Sequence, residues 1–214
     1  MPSPVKRPYD NSRRVAQARA MRLKVIETAK DLFIEHGFAA TTLESVAEAA
    51  DVSLPSLYRH FNSKRALLSA VLDTSFGGDD EPVAFVDRRA VQAALNEPDP
   101  HRLLEAFARI ATELLERSSA IQLVLAGAAQ VDTEAADLWA DVCRQRHTGQ
   151  SRIVAALVKR GALDPRLKSS EAADFVYLLM SPDTYRLLTI ERGWKPEKFE
   201  KWLAHTLCST LLAQ

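Results

Sequence analysis

The sequence is poor in cysteine and has no long apolar run, and each shortage excludes a class of protein. Its two cysteines, Cys143 and Cys208, form neither a CxxC pair nor a spacing typical of zinc ligands. A disulfide scaffold and a structural metal site are therefore not expected, and reduced thiols in a cytoplasmic protein are. The longest apolar stretch, 120–131, is interrupted by Gln122 and falls short of the roughly 20 residues that a membrane span needs. We therefore expect no membrane partner.

Motifs of enzymes are missing as well. No GxSxG, GxGxxG, P-loop or HExxH motif occurs, and the five histidines have no ligand or triad spacing. The sequence therefore predicts that the protein is not an enzyme and holds no cofactor.

Charge is distributed unevenly, although 28 basic and 28 acidic side chains cancel over the whole chain. The first 24 residues hold seven basic side chains and one acidic side chain, and no apolar run typical of a signal peptide follows them. Secretion is therefore not expected. Residues 1–65 hold 11 basic and 7 acidic side chains, a net charge of +4, which leaves −4 on the remaining 149 residues. This asymmetry indicates that the N-terminal part alone meets a polyanion.

Apolar residues recur at helical spacing along nearly the whole chain, glycine is scarce with seven copies, and β-branched alternation is absent. This pattern predicts an all-α protein. The segment 119–131 is apolar on nearly every side, which is typical of the middle of a bundle. Pro182 is expected to bend its helix because proline removes a backbone donor. The expected helices lie at about 12–36, 41–50, 53–61, 64–76, 84–95, 99–117, 119–131, 133–160, 169–192 and 196–213.

Local signals mark the ends of the first helices. Gly37 is expected to end the first helix. Thr41, with Glu44 three residues later, has the spacing of a capping box at the second helix, and Thr42 is the alternative cap. Ser53 is expected to cap the third helix.

A long helix followed by two short helices that a turn of about four residues joins is the layout of a helix-turn-helix unit. Asp51 tolerates the left-handed conformation that the turn needs. At 100° per residue, Leu57 and Phe61 share one arc of the third helix, whereas the opposite arc is polar and free. Such a helix fits the major groove of double-stranded DNA, and helix N-termini beside it attract phosphate. The candidate DNA-binding residues are Thr41, Thr42, Ser53, Leu54, Pro55, Ser56, Tyr58, Arg59, His60 and Lys64.

The run Val52-Ser53-x-x-Ser56-Leu57-Tyr58-x-His60-Phe61-x-Ser63-Lys64-x-x-Leu67 has a familiar spacing, and residues 26–72 around it resemble the DNA-binding domain of the TetR family of transcriptional repressors. The resemblance implies a ligand-responsive repressor, a homodimer that binds a palindromic operator and releases it when a small molecule enters the C-terminal domain. The family pattern implies phosphate contacts at Thr42 and Tyr58 and a backbone anchor at Lys64. It places Pro55, Ser56 and His60 toward bases.

The N-terminal segment departs from the family pattern, because it is longer before Arg19 than in many members. Arg65 departs too, since an acidic residue commonly follows the lysine. The basic residues of the segment form either an arm in the minor groove or a solvated leader; they are Lys6, Arg7, Arg13 and Arg14. The expected domains are this leader at 1–18, a helix-turn-helix domain at 19–65 and a helical ligand-binding and dimerisation domain at 66–214. A helical interaction module that does not touch DNA remains the alternative.

A dimer is required if one recognition helix is to reach a second half-site about 34 to 36 Å away. The last helix carries an apolar stripe at helical spacing, which we expect to pair with helix 169–192 in a four-helix bundle with the partner. The alternative is that the stripe packs on its own domain. The expected interface residues are Val176, Leu179, Leu187, Phe199, Trp202, Leu203, Thr206, Leu207, Thr210 and Leu211.

A binding pocket for a hydrophobic effector is expected inside the C-terminal bundle, lined by aromatic and sulfur-containing side chains. The same residues also fit plain core positions. Arg146 and His147 are candidates for a polar group in the pocket, or lie on the surface. The expected pocket residues are Phe107, Ile110, Leu114, Trp139, Cys143, Phe175 and Tyr177.

Overall fold

The computed structural model describes residues 12–213, and this range is almost entirely helical, without a β-strand. One isolated bridge pairs Leu163 with Leu212. The predicted all-α fold is confirmed. Lys6 and Arg7 of the predicted leader lie outside the described residues. Among the helices described, none is both long and apolar enough to cross a membrane.

Ten α-helices follow one another along the chain. They are α1 (Ser12–Ala40), α2 (Leu43–Ala49), α3 (Leu54–His60), α4 (Lys64–Gly77), α5 (Arg89–Asn96), α6 (Pro100–Ala128), α7 (Thr133–Lys159), α8 (Ser169–Leu179), α9 (Pro182–Arg186) and α10 (Pro196–Leu211). A 3-10 turn precedes α5 at Phe85–Asp87, and a π turn follows α9 at Leu187–Glu191. Gly37 interrupts the helical backbone of α1 with a φ of 78°, as its predicted role as a helix end requires.

Two expected helix boundaries are wrong. The segments 99–117 and 119–131 are one helix, α6, which continues through Ser118 because its Oγ donates to the carbonyl of Leu114, 2.7 Å away, and leaves the backbone helical. The segment 169–192 is not one bent helix. It stops at Leu179 and restarts at Pro182, where Ser181 accepts a hydrogen bond from the Thr184 amide as a new N-cap.

Helix α6 is the central element of the molecule, as the apolar character of its second half predicted. It packs against α1, α4, α5, α7, α9 and α10. One buried cluster joins α1–α4 to the C-terminal end of α6 and the start of α7, and it includes Phe33, Leu57, Leu67 and Ile121. A second cluster joins the N-terminal half of α6 to α5 and α7–α10. Because α6 contributes to both clusters, it connects the helix-turn-helix unit to the C-terminal body.

Candidate nucleic-acid interface and internal cavity

The helix-turn-helix unit has the geometry that its sequence predicts. Asp51 adopts a left-handed backbone with a φ of 53°, which turns the chain sharply between α2 and α3. The amide of Val52 donates to the carbonyl of Ala47 at 3.0 Å, so the turn closes on the end of α2. Leu57 and Phe61 are buried beneath α3. These contacts orient α3 with its opposite side outward.

The outward side of α3 is polar and accessible. Pro55, Arg59 and His60 are exposed, and 46% of Tyr58 is exposed. Ser56 is half-buried, because its hydroxyl lies 3.7 Å from the sulfur of Met21 on α1. The four exposed side chains give α3 a surface that fits a groove lined with hydrogen-bonding groups.

Leu54 and Ser53 occupy the start of α3 in different ways. Ser53 is exposed and caps the helix by accepting a hydrogen bond from the amide of Ser56, as predicted. Leu54 is half-buried and packs against the core of the unit, so only part of its side chain faces outward.

The predicted cap at Thr41 is wrong, and the alternative, Thr42, is correct. Thr42 accepts a hydrogen bond from the amide of Ser45, whose own hydroxyl accepts one from the Thr42 amide. Thr41 is buried, and its hydroxyl lies within hydrogen-bond distance of the carbonyls of Gly37 and Leu32. The Thr41 side chain therefore satisfies the end of α1 and is not available to a phosphate, whereas Thr42 is exposed.

Lys64 has a structural role that the sequence did not indicate. Its ammonium group donates to the carbonyls of Phe38 at 2.7 Å and Thr41 at 3.0 Å, and it lies 4.1 Å from the centre of the Phe38 ring. Partial burial lowers the pKa of Lys64. The side chain thus ties the start of α4 to the end of α1, and one of its three protons remains for another acceptor.

The basic residues of α1 separate into free and engaged groups. Arg13 and Arg14 are exposed. Arg19 forms an ion pair with Asp80, with 2.7 Å between Nε and Oδ2, and this contact lowers the pKa of the Asp80 carboxyl. The guanidinium of Arg22 lies 5.4 Å from the centre of the Phe61 ring. Arg19 therefore connects the N-terminal domain to the loop after α4 and is not a free cation.

A cavity of about 160 Å³ lies within the C-terminal bundle. Of the predicted pocket residues, Phe107, Ile110 and Leu114 line it. Its wall is otherwise built from side chains of α4, the 3-10 turn, α5, α6, α7 and Met180, among them Phe76, Phe85, Val86, Val91, Leu95, Ala111, Leu115, Gln122, Val142, Gln145, Arg146, Gly149, Gln150 and Ile153.

The other predicted pocket residues do not line this cavity. Trp139 packs beside the cluster of the helix-turn-helix unit, and Phe175 is exposed on α8. Cys143 and Tyr177 are absent from the wall because their side of α7 and α8 faces away from it. His147 is exposed and lies beside the Tyr177 ring, whereas Arg146 does line the cavity, as one of the two alternatives for this residue proposed.

Polar groups enter this mostly apolar cavity from α6 and α7. Gln122 is fully buried, Gln150 is buried, and Arg146 is half-buried. The Arg146 guanidinium lies 4.4 Å from the centre of the Tyr177 ring, and burial lowers the pKa of Arg146. Sequence reasoning missed both glutamines, because helical spacing placed them beside apolar neighbours without showing what they face.

The predicted dimer interface is wrong for its most apolar members. Val176, Phe199, Leu203, Leu207 and Leu211 are buried within one chain, in the cluster that joins α10 to α6. The alternative, that the stripe of α10 packs on its own domain, is therefore correct for these residues. The remaining members are half-buried or exposed; they are Leu179, Trp202, Thr206, Thr210 and Leu187.

A different apolar surface is exposed. It consists of Phe175 and Leu178 on α8 and of Leu187 and Ile190 on the π turn, with exposed fractions of 41%, 61%, 44% and 75%. We call these four residues the 175–190 face. Large apolar side chains exposed close together in the chain are typical of an interaction surface.

Comparison with known proteins identifies the N-terminal unit. The family model described as bacterial regulatory proteins of the TetR family matches residues 25–71. The HTH-type transcriptional regulator TtgR of Pseudomonas putida is 29% identical over 199 residues, which cover 83% of this chain and 89% of that protein.

Solved structures share the fold over nearly the whole chain. NalD, the secondary repressor of the MexAB-OprM multidrug efflux pump in Pseudomonas aeruginosa, superposes with a TM-score of 0.65 at 22% identity, covering 91% of this chain and 98% of that chain. SmeT in complex with triclosan superposes with a TM-score of 0.68 at 16% identity, covering 91% and 93%. The family-model match, the similarity to a curated regulator and the common helical fold together show that the chain belongs to the TetR family of DNA-binding transcriptional regulators, which are not enzymes.

Proposed function

We propose that the protein is a homodimeric, sequence-specific repressor that releases a palindromic operator when a small hydrophobic molecule enters the internal cavity. The observation that carries this proposal is the polar, accessible side of α3 above the buried pair Leu57 and Phe61. A cytoplasmic location is part of the proposal, since operator DNA lies there. The direct test is selection from a random DNA library followed by footprinting, and it contradicts the proposal if no palindrome is protected.

In this proposal, residues 19–65 bind DNA and residues 66–214 bind the effector and the second subunit. The side chains toward bases are Pro55, Ser56 and His60, and those toward phosphates are Thr42, Ser53, Tyr58 and Arg59. Exposure of Thr42, Tyr58 and Arg59 supports their role. Lys64 contributes chiefly by positioning, because two of its protons bind carbonyls of the same chain.

The 175–190 face is our proposed dimer interface. It replaces the α10 stripe of the original expectation, since Phe199 and its neighbours are already covered by α6. Four exposed apolar side chains form an isologous contact when two copies meet around a two-fold axis.

Coupling between the cavity and DNA is proposed to pass through α4 and the loop that follows it. The two ends of α4 serve different sites, because Lys64 contacts the end of α1 whereas Phe76 lines the cavity. Arg117 of α6 donates to the carbonyl of Phe76 at 3.2 Å, and Lys30 of α1 donates to the carbonyl of Arg117 at 2.8 Å. A ligand that moves Phe76 therefore biases the position of α1 and of the recognition helix.

The first prediction concerns phosphate contacts. Arg59→Ala is expected to weaken operator binding for all sequences and to reduce the slope of log K against log salt by about one unit, as the loss of one phosphate contact does. Fluorescence anisotropy with the selected operator at several salt concentrations measures both effects. The matched control is Arg102→Ala on α6, which is exposed but far from α3 in the chain. An unchanged salt slope in Arg59→Ala would rule out this contact.

The second prediction concerns the ion pair between Arg19 and Asp80. Because Arg19 lowers the pKa of Asp80, the stabilisation is present above the usual carboxyl pKa of about 3.9 and is lost as the pH falls through the lowered value. Asp80→Asn should therefore be less stable than the parent protein at pH 7 and equally stable at the acidic end. Urea unfolding across this pH range measures the difference. Asp87→Asn, at an exposed position of the 3-10 turn, is the control and should show no such trend.

A further inference from the structure

The cavity contains a hydrogen-bond acceptor without a partner. Gln122 is 0% exposed and lines the cavity, and its Oε1 accepts no hydrogen bond from any residue that the structure describes. Leaving a buried polar atom unpaired costs about 1 to 3 kcal/mol. A group that donates a hydrogen bond to this oxygen therefore gains affinity that an apolar group of the same size does not.

The orientation of the Gln122 amide follows from its neighbour. The hydroxyl of Ser118 donates to the carbonyl of Leu114 at 2.7 Å, which uses its one proton. Toward Gln122 this hydroxyl can only accept, and the amide nitrogen lies 2.9 Å from it. The NH₂ group must therefore face Ser118, so the atom left unpaired is the oxygen, an acceptor.

A second acceptor and a cation limit the charge of the ligand. Gln150, which also lines the cavity, has an Oε1 without a partner among the described residues. Two unpaired amide oxygens disfavour an anion, because they present negative partial charge to it. Arg146, one turn from Gln150 on α7, disfavours a cation. The group that suits all three side chains is a neutral donor.

The volume of the cavity limits the size of the ligand. About 160 Å³ is close to the engineered apolar cavity of 150 Å³ that binds benzene. The aromatic and aliphatic wall, with Phe107, Ile110 and Leu114, suits a single ring or an aliphatic group of similar size.

We propose that the effector is a neutral hydroxyl compound about the size of one ring, of the phenol class, whose hydroxyl donates to Oε1 of Gln122. This inference rests on the proposed function, since it names the chemical class that the cavity of the repressor takes.

The test is a comparison of phenol with toluene, which replaces the hydroxyl by a methyl group of similar size. Toluene loses less hydration than phenol on entering a cavity, so the informative quantity is the ratio of their affinities, compared between protein variants by calorimetry. In Gln122→Met, which keeps the length of the side chain and removes the acceptor, the ratio of phenol to toluene affinity should fall about tenfold. Benzoate and benzylammonium should bind more weakly than phenol to the parent protein.

The matched control is Gln145→Met, because Gln145 also lines the cavity from α7 but is exposed. Its affinity ratio should stay at the parent value. A crystal structure with phenol should place the hydroxyl within about 3.2 Å of the Gln122 oxygen, a measurement that needs no variant.

Two outcomes overturn the inference. One is an unchanged ratio in Gln122→Met, and the other is a structure in which a water occupies the acceptor while phenol lies elsewhere or does not bind. Both are measured without DNA. If phenol binds as expected but does not release the operator in anisotropy experiments, the inference holds and the proposed effector-dependent release fails.

Discussion

Replacing Leu178 with aspartate is expected to convert the protein from a dimer to a monomer and to abolish binding to a palindromic operator. Leu178 belongs to the 175–190 face, and 61% of its side chain is exposed in the single chain. Burying an unpaired carboxylate in an apolar interface costs about 3 to 5 kcal/mol, which raises the dimer dissociation constant by more than about 100-fold. A monomer presents one recognition helix and loses the second half-site.

Sedimentation or light scattering over a range of protein concentrations measures the mass, and anisotropy measures operator binding. The matched control is Val131→Asp, an equally apolar and 84% exposed residue between α6 and α7, which should remain dimeric. Circular dichroism should show full helicity in both variants, because Leu178 is mostly exposed. A Leu178→Asp protein that stays dimeric at low micromolar concentration would place the interface elsewhere.

Phe199→Ala is expected to lower the free energy of unfolding by about 3 to 5 kcal/mol, which is the usual cost of removing a buried phenylalanine. Phe199 is fully buried, and its ring meets Tyr185 edge-on with 4.9 Å between centroids and Trp202 at 5.7 Å. Alanine leaves a cavity between α9 and α10 that these rings cannot fill without moving. The same contacts explain why burial raises the pKa of Tyr185.

Urea unfolding at several protein concentrations separates this effect from dimer dissociation, since loss of an interface makes the midpoint depend on concentration more strongly. His205→Ala, on the exposed side of α10, should change the free energy of unfolding by no more than about 0.5 kcal/mol. If Phe199→Ala unfolded like the parent protein and only dissociated the dimer, the original assignment of the α10 stripe to the interface would be right.

The helix-turn-helix unit was predictable because its signals are local. Ser53, Asp51 and Gly37 specify a cap, a turn and a helix end through their own backbone preferences, and the structure shows all three. The choice between Thr41 and Thr42 as cap was not decided locally, since both have the right chemistry. The burial of Thr41 against the end of α1 decided it.

The C-terminal body was less predictable, because its partners are distant in the sequence. Periodicity identified the apolar side of α10, but it carries no information on whether α6 or a second subunit covers that side. Likewise, the spacing of Gln122 placed it on the buried side of a helix without showing that a cavity lies there. Lys64 could be read as a surface cation until Phe38 and Thr41, more than 20 residues earlier, were seen to accept its protons.

The sequence by itself determined the helical class, the recognition unit and the side of α3 that faces outward, since these depend on residues within a few turns of one another. Tertiary structure alone decided which apolar surface stays uncovered and which polar atoms enter the cavity. The physical reason is that burial and hydrogen-bond satisfaction are properties of packed neighbours. Gln122 and Ser118, one helical turn apart, could have been paired from the sequence, but the unpaired oxygen became visible only once the surrounding helices α4, α5 and α7 were in place.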